Sequence, residues 1–321
     1  MATASGISHC RIAEMPIAIV DFETTGLTPG VDRVVEVSVV RIDPGQPARL
    51  VLDTLVNPMR PMAASEIHGI TDEHVADAPC FRDIAGEFVG VMSNCVVAAY
   101  NVYFDINFLN FEFRNIGVGH EPPHFCLMYL RPMLGLGARC KLEEACRLHG
   151  IDYEMTHVAA SDATASGDLL GCYLKGIRQR DISTYGELAN LKSYKFVNSF
   201  SNDPLPPPSA FKLAGCDRLR SRSGHVHKAA VDPTRRALTS YWDALRTVVA
   251  DLEITDDEIE YVNKERTQLG LQKEQVRALH ARAFAGAISQ FTDDQWLDDR
   301  EVRKLRRLHE CLATLGWAPG Q

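Results

Sequence analysis

The sequence predicts an α/β domain built on a mixed sheet, followed by a small all-α domain. Three segments rich in β-branched residues and joined by short turns open the chain, and apolar strands then alternate with helical patterns. Strands that run first as a meander and then alternate with helices are typical of a mixed sheet flanked by helices. We therefore predict four parts: a disordered tail at 1–14, the α/β domain at 15–192, a Pro/Arg-rich linker at 193–235 and a helical domain at 236–321.

The composition is that of a globular protein whose charge is unevenly distributed. Of the 321 residues, 45% are hydrophobic and 24% are charged, and the net charge is −8. Residues 1–180 contain 14 Lys and Arg against 22 Asp and Glu, whereas residues 181–321 contain 20 of each. The excess of acids therefore lies in the α/β domain, which does not favour a long surface for duplex DNA.

Cysteine usage and the lack of long apolar segments predict a cytoplasmic protein. The nine cysteines are an odd number without Cys-x-x-Cys spacing, which favours free thiols in a reducing compartment over disulfides or a zinc site. The N-terminus lacks a basic head followed by an apolar core, and no apolar stretch approaches the roughly 20 residues of a membrane span.

The α/β domain divides into strands and helices at clear turn signals. An apolar run bounded by Pro16 and by Thr24-Thr25-Gly26 predicts a buried central strand, and Gly117 and Gly150 each end a helical pattern. The predicted strands are 17–20, 33–42, 50–56, 95–99 and 124–128, of which the first three form an antiparallel meander. The predicted helices are 81–92, 104–113, 141–149 and 160–177.

Two carboxylates follow the first strand one residue apart. Asp21 and Glu23 lie on the same face, because side chains alternate along a strand. Two like charges at a buried strand end repel each other, and a divalent cation between them is the usual way to keep both ionised. The alternative is a strand that ends in solvent with two exposed acids.

Three further residues extend the pattern. Asp105 lies at a strand-to-helix transition, and His157 precedes Asp162 by five residues where a helix begins. Taken alone, Asp162 is explained by the helix dipole and His157 by an ordinary surface or core position. The joint order of Asp-x-Glu on a strand, Asn-x-x-x-Asp after a strand and His-x4-Asp at a helix start is a specific constellation.

These motifs resemble those of the DEDDh 3′–5′ exonucleases of the ribonuclease H-like superfamily, and within that family the proofreading epsilon subunit of bacterial DNA polymerase III. The resemblance covers residues 16 to about 178, and all four family acids and the family histidine are present. One departure is Tyr100, where the family often has His. The matching segments are 21–27, 67–71, 101–105 and 108–113, together with His157 and Asp162. The resemblance implies a ribonuclease H-like five-stranded mixed sheet.

The residue types predict the metal chemistry. Four carboxylates offer hard oxygen ligands, which suit Mg²⁺ or Mn²⁺ rather than zinc. Two such ions about 3.5–4 Å apart activate a water and stabilise the leaving 3′-oxygen of a phosphodiester. We assign Asp21, Glu23 and Asp162 to one ion and Asp21 with Asp105 to the second. His157 is the predicted general base, because an imidazole titrates near neutral pH.

Substrate contacts and partners are implied mainly by the resemblance. Single-stranded DNA or frayed DNA 3′ ends are the expected substrates, and RNA is not excluded. Phe104 has the alternative of plain packing, and Asn101 of holding a turn. The implied contacts with the terminal nucleotide are Phe22, Thr24, Leu27, His68, Asn101 and Phe104.

The remaining chain carries a basic run and paired helix signals. Residues 212–236 contain seven Lys and Arg and two Asp, which predicts either a phosphate-binding segment or a solvated linker. Thr255 with Glu258, and Asp298 with Glu301, fit N-terminal capping pairs. The helical region loosely resembles TerB-like domains, and a DNA polymerase or another replication or repair protein is its expected partner.

Three functional classes follow from these observations. The first is an active 3′–5′ exonuclease on DNA. The second is an RNA 3′-end-trimming enzyme on the same fold, since nothing in the sequence excludes a 2′-hydroxyl. The third is a catalytically silent nucleic-acid-binding module whose helical region does the work, which intact acids and an intact histidine disfavour.

Overall fold

The central sheet has five strands in the order β3-β2-β1-β4-β5. A computed structural model describes residues 6–154, 157–213, 233–249, 252–291 and 297–319 of the chain. β1, β2 and β3 are antiparallel neighbours, whereas β4 and β5 run parallel to β1. This arrangement confirms the predicted mixed sheet. The strands are β1 (Ile17–Thr24), β2 (Val34–Ile42), β3 (Arg49–Leu55), β4 (Val96–Ala99) and β5 (His124–Cys126).

Eight helices accompany the sheet in the described part of residues 6–213. The fifth strand ends two residues earlier than predicted, because α5 begins directly after Cys126. Short 3-10 helices lie at Ile12–Glu14, Lys195–Ser201 and Pro208–Ala210. The α-helices are α1 (Ser65–His68), α2 (Asp72–Val75), α3 (Phe81–Met92), α4 (Val102–Asn115), α5 (Leu127–Met133), α6 (Leu142–Leu148), α7 (Ala159–Gln179) and α8 (Tyr185–Ala189).

The two faces of the sheet pack against different helices. A Cβ on Gly167 of α7 would lie 3.1 Å from Val40, so α7 rests closely on the face that carries the odd-numbered residues of β1. On the opposite face the ring of Phe22 packs against Phe88 of α3, with 6.0 Å between ring centroids. Strand alternation therefore directs Asp21 and Glu23 toward the α7 side and Phe22 away from it.

Two predicted boundaries are wrong. Residues 6–14 are not a disordered tail, since Ile7 is buried and its backbone N–H donates to the carbonyl of Phe200 at 2.8 Å. The linker does not begin at 193, because Phe196, Phe200 and Leu205 are buried in the core. Apolar side chains within polar surroundings stabilise both segments by burial. Most of the basic run at 212–236 lies outside the described residues.

The helical region packs on the α/β domain and shares its apolar core. Its helices are α9 (Pro233–Val249), α10 (Asp256–Gln268), α11 (Lys273–Phe291) and α12 (Asp299–Thr314). Both predicted capping pairs are confirmed, because the backbone N–H of Glu258 donates to Thr255 Oγ1 and that of Glu301 to Asp298 Oδ1. The eight cysteines within the described ranges are free thiols, as predicted. None of the described helices has the length and apolar character that crossing a membrane requires.

Candidate active site

The predicted acids converge at one end of the sheet from three separate elements. Asp21 and Glu23 lie on β1, Asp105 is in the first turn of α4, and Asp162 is in the first turn of α7. Ligand atoms of Glu23, His157 and Asp162 all lie within 4.8 Å of one another. Asp21, Asp105 and Asp162 line one small cavity. The structure therefore brings all five predicted catalytic residues together.

Local topology explains this convergence. β1 and β4 run parallel, so their carboxyl ends share one edge of the sheet, and α4 begins directly after β4. The backbone N–H of Phe22 donates to Asp105 Oδ1 at 3.2 Å, which ties α4 to β1. The Tyr153 hydroxyl donates to Asp162 Oδ1 at 2.7 Å and orients that carboxylate.

The buried acids repel one another. Burial raises the pKa of Asp21 well above its usual value, and the neighbouring charges of Asp162, Asp105 and Glu23 raise it further. Burial also raises the pKa of Asp105 and of Asp162 to about 7. Burial disfavours the charged form of a carboxylate, and neighbouring carboxylates add to this effect. The cluster therefore has a strong electrostatic demand for a cation.

His157 lies between two carboxylates. Its Nδ1 is 3.8 Å from Glu23 Oε1, and its Nε2 is 3.6 Å from Asp243 Oδ2. Burial alone would lower the pKa of His157, but Asp243 and Glu23 outweigh burial and raise it to about 9. Burial likewise acts to raise the pKa of Glu23, but His157 outweighs it and that pKa is lowered. In this arrangement the imidazole is protonated at pH 7.

The donor set fits a hard divalent cation. Asp21 Oδ2 and Glu23 Oε1 are buried and have no hydrogen-bond partner among the described residues. A buried carboxylate oxygen without a partner is unfavourable unless a cation or a donor reaches it. Oxygen ligands of this kind suit Mg²⁺ or Mn²⁺. The residues present thus fit the metal ions that the sequence predicts.

Sequence reasoning missed four residues of the site. Arg246 places its guanidinium carbon 3.8 Å from the centre of the Phe104 ring, and its Nη1 lies 3.5 Å from Asp243 Oδ1. Glu36 is opposite Glu23 on β2, accepts the Ala159 N–H at 3.1 Å, and has a pKa raised by burial to about 8. The antiparallel meander could have indicated Glu36. The other missed residues, Tyr153, Asp243 and Arg246, have no motif that marks them.

The predicted substrate contacts have mixed outcomes. The prediction for the Phe22 side chain is wrong, because the ring is fully buried against Phe88 on the opposite face of the sheet. Thr24 Oγ1 donates to the Gly26 carbonyl, and Leu27 and Phe104 line a second small cavity. The remaining assignments stay predictions: Thr24, Leu27, His68, Asn101 and Phe104.

His68 and Asn101 occupy distinct positions around the acids. His68 is buried, and its Nδ1 accepts the Ile70 N–H at 3.0 Å. Burial lowers its pKa, so the neutral ring is favoured. Asn101 lines the cavity of the acids, and its carbonyl accepts the Phe104 N–H at 3.0 Å at the start of α4. Asn101 thus holds the turn into α4 and also faces the site.

Comparisons with known proteins agree with this site. Residues 18–170 match the family model described as Exonuclease. The match covers less than half of the chain and includes the sheet and the acid cluster, so this region is an exonuclease-like domain. The four acids and His157 have the order on which the resemblance to the DEDDh exonucleases rests.

The chain is similar to several bacterial proteins whose names refer to DNA polymerase III. It is 31% identical to a DNA polymerase III subunit epsilon-like protein of Rhodobacter capsulatus, over 57% of this chain and 27% of that protein. It is 29% identical to the DNA polymerase III PolC-type of Thermotoga petrophila, over 54% of this chain and 13% of the relative. These matches span about a quarter or less of the relatives' length.

The chain also aligns with a solved structure. Exonuclease I of E. coli, in complex with a dA16 oligonucleotide, aligns with a TM-score of 0.40 at 18% identity, over 52% of this chain and 42% of that chain.

Proposed function

We propose that this protein is a metal-dependent 3′–5′ exonuclease that hydrolyses phosphodiester bonds at the 3′ end of DNA and releases nucleoside 5′-monophosphates. The observation that carries the proposal is the convergence of four acids with His157 at one strand edge, inside a region that matches the Exonuclease family model. The similarity to epsilon-like and PolC-type proteins supports DNA over RNA and a role in proofreading or repair.

The acids would hold two Mg²⁺ or Mn²⁺ ions. Asp21, Glu23 and Asp162 would bind one ion, and Asp21 and Asp105 would bind the second. When bound, such ions lower the pKa of a coordinated water and stabilise charge on both oxygens of the displaced phosphodiester. Tyr153 supports this arrangement, because its hydroxyl holds Asp162 by the 2.7 Å hydrogen bond.

His157 would take the proton of the attacking water. A general base must be neutral before it accepts a proton. Asp243 lies 3.6 Å from the imidazole and contributes to raising its pKa to about 9. His157 would therefore act as a base when Asp243 has moved away and cations neutralise the acids.

Residues beside the acids would position the 3′-terminal nucleotide. Leu27 and Phe104 line the same small cavity and offer an apolar wall against a base. Asn101 lines the cavity of the acids, His68 is buried at the end of α1, and Thr24 follows Glu23 at the end of β1. We propose these five as the nucleotide contacts.

The polymer partners are single-stranded DNA or frayed 3′ ends in the cytoplasm. We also propose that the helical region contacts a DNA polymerase or another replication or repair protein, because the chain is similar to parts of DNA polymerase III proteins.

End-labelled oligonucleotides test the activity. DNA and RNA strands labelled at either end would be incubated with Mg²⁺, Mn²⁺ or EDTA, and the products separated by length and identified as mononucleotides. We expect stepwise shortening of 5′-labelled DNA from its 3′ end, lost in EDTA. Shortening of RNA alone would establish an exoribonuclease, and binding without cleavage in any metal would establish a silent module.

A further inference from the structure

Helix α9 of the helical region lies directly on the proposed active site. Thr239 Oγ1 and Arg235 Nη2 each donate to the Ile67 carbonyl at 3.4 Å, beside the predicted contact His68. One turn further along the same helix, Asp243 faces His157, and Arg246 follows it by three residues. One face of α9 therefore spans the site from the nucleotide contacts to the acids.

The Arg246 guanidinium borders the cavity of the acidic cluster. The residue is 8% exposed and stacks over Phe104. It lines the same cavity as Asp21, Asp105 and Asp162, and its Nη1 lies 3.5 Å from Asp243 Oδ1. Burying a guanidinium is costly unless carboxylates surround it. Asp21, Asp105 and Asp162, which share this cavity with Arg246, are among the proposed metal ligands, so the guanidinium lies where it would face a bound metal ion.

The covered site has no room for a nucleotide. The cavity over the acids measures about 70 Å³, and the one between Leu27 and Phe104 measures about 10 Å³. Ligand sites usually enclose roughly 300 Å³ or more. Helix α11 closes the second cavity, because Ala283 and Ala287 line it and a Cβ on Gly286 would clash with Thr28. Substrate entry thus requires α9 and α11 to move.

Ion pairs at the edges hold the helical region in this position. Arg282 of α11 donates to Glu66 of α1 at 2.8 Å, and Arg139 pairs with Glu258 of α10 at 3.3 Å. Lys141 contacts both Ser240 of α9 and Glu265 of α10. These pairs are partly exposed, and partly exposed ion pairs are individually weak. These pairs add specificity to a contact whose main part is the shared apolar core.

We propose that α9 is an internal inhibitor of the exonuclease domain, in which the Arg246 guanidinium and divalent metal ions compete for the same carboxylates. Binding of metal ions to the acids is then thermodynamically coupled to release of α9 from the site. Binding of a DNA 3′ end favours the released state. This inference rests on the proposed function of the site, since it takes the acids to be metal ligands. It adds that the chain covers its own site in the metal-free state.

Calorimetric titration with MnCl₂, without nucleic acid, tests the competition. The 321-residue chain would be compared with Arg246→Met, which keeps an apolar stem over Phe104, and with Arg277→Met, which removes an exposed arginine from α11. We expect Arg246→Met to bind Mn²⁺ at least tenfold more tightly and Arg277→Met to match the unaltered chain. Unchanged or weaker binding by Arg246→Met would overturn the proposal.

Hydrogen exchange of the unaltered chain gives a second readout that needs no variant. Saturating Mn²⁺ with a single-stranded oligonucleotide should accelerate exchange of the amides of α9 at least tenfold. Equal or slower exchange would overturn the inference. Tighter Mn²⁺ binding by Arg246→Met without cleavage of any oligonucleotide would refute the proposed activity but support the competition, whereas cleavage with unaltered Mn²⁺ binding would do the reverse.

Discussion

The exonuclease domain and the helical region bring opposite charges to the same cleft. The exonuclease domain contributes four acids from three elements, whereas α9 contributes Arg246 together with Asp243. Burial raises the pKa of Asp105 and of Asp162 to about 7, so it is unfavourable to keep these acids ionised. Without bound metal ions, the clustered acids need another cation to offset their negative charge. A neighbouring helix that supplies one becomes coupled to metal binding.

The largest effect is expected where the acids are removed. Asp162→Asn should reduce exonuclease activity to background, because an amide holds a divalent cation poorly, while the Tyr153 hydroxyl keeps its acceptor. The melting temperature should hold or rise, since one buried charge is lost. Asp168→Asn, at an exposed position of the same helix, is the matched control for both measurements. Retained activity in Asp162→Asn would remove that residue from the site.

A smaller loss is expected at the proposed base. His157→Ala should lower kcat roughly 10²–10⁴-fold, with Mn²⁺ affinity largely kept, because only proton transfer is lost. His9→Ala, at an exposed position, serves as the control. The comparison must be made at pH 7 with both proteins saturated in metal. Near-normal turnover would show that metal-bound water ionises without His157.

A buried histidine in the helical region predicts acid sensitivity that is independent of the metal site. His280 Nε2 lies 2.6 Å from the Tyr241 hydroxyl, and burial, with help from Arg266, lowers the His280 pKa to about 4. The unfolded value is about 6.5, so this stabilisation is complete above pH 6.5 and is lost as the pH falls toward 4. The loss amounts to at most about 3 kcal/mol.

Urea unfolding at pH 7 and pH 4.5 measures this loss. The difference between the two pH values should be smaller in His280→Gln than in the unaltered chain, because glutamine does not titrate. Other groups titrate equally in both proteins and cancel. An identical difference in the two proteins would contradict the assignment of acid sensitivity to His280.

The smallest expected effect distinguishes Phe22, which lies in the core, from Leu27, which lies in the cleft. Phe22→Leu should lower the free energy of unfolding by roughly 1–2 kcal/mol, because the smaller side chain leaves part of the ring's volume unfilled. KM for DNA should stay unchanged, because the ring faces Phe88 and not the cleft. Leu27→Ala, on the cleft side, should raise KM. A raised KM in Phe22→Leu would show that the Phe22 ring contributes to substrate binding.

The sheet and the acids could be predicted because their signals are local. Alternation along β1 places Asp21 and Glu23 on one face without any tertiary information. The same alternation directs Phe22 to the opposite face. Its prediction as a substrate contact rested on the family resemblance and not on this alternation. His157 and Asp162 became meaningful only through their joint spacing with the earlier motifs. Ile7 and Phe196 are buried, but polar residues surround them in the sequence, so no apolar pattern predicts their burial.

The role of α9 could not be predicted from the sequence. Arg246 and Asp243 stand three apart on an amphipathic helix, a spacing that charged residues on any exposed helix share. Their contacts join them to residues far away in the chain, such as Phe104 and His157. Such contacts depend on how α9 packs against α1 and α10, which local patterns do not encode.

The competition between Arg246 and metal ions is tested most directly by a crystal structure of the 321-residue chain grown with MnCl₂. The anomalous signal of manganese would locate the bound ions. The account predicts manganese peaks bounded by Asp21, Glu23 and Asp162, with the Arg246 guanidinium withdrawn from its present place 3.8 Å over the Phe104 ring. Manganese bound among these carboxylates while Arg246 still stacks on Phe104 would contradict it, as would a saturated crystal without manganese at the acids.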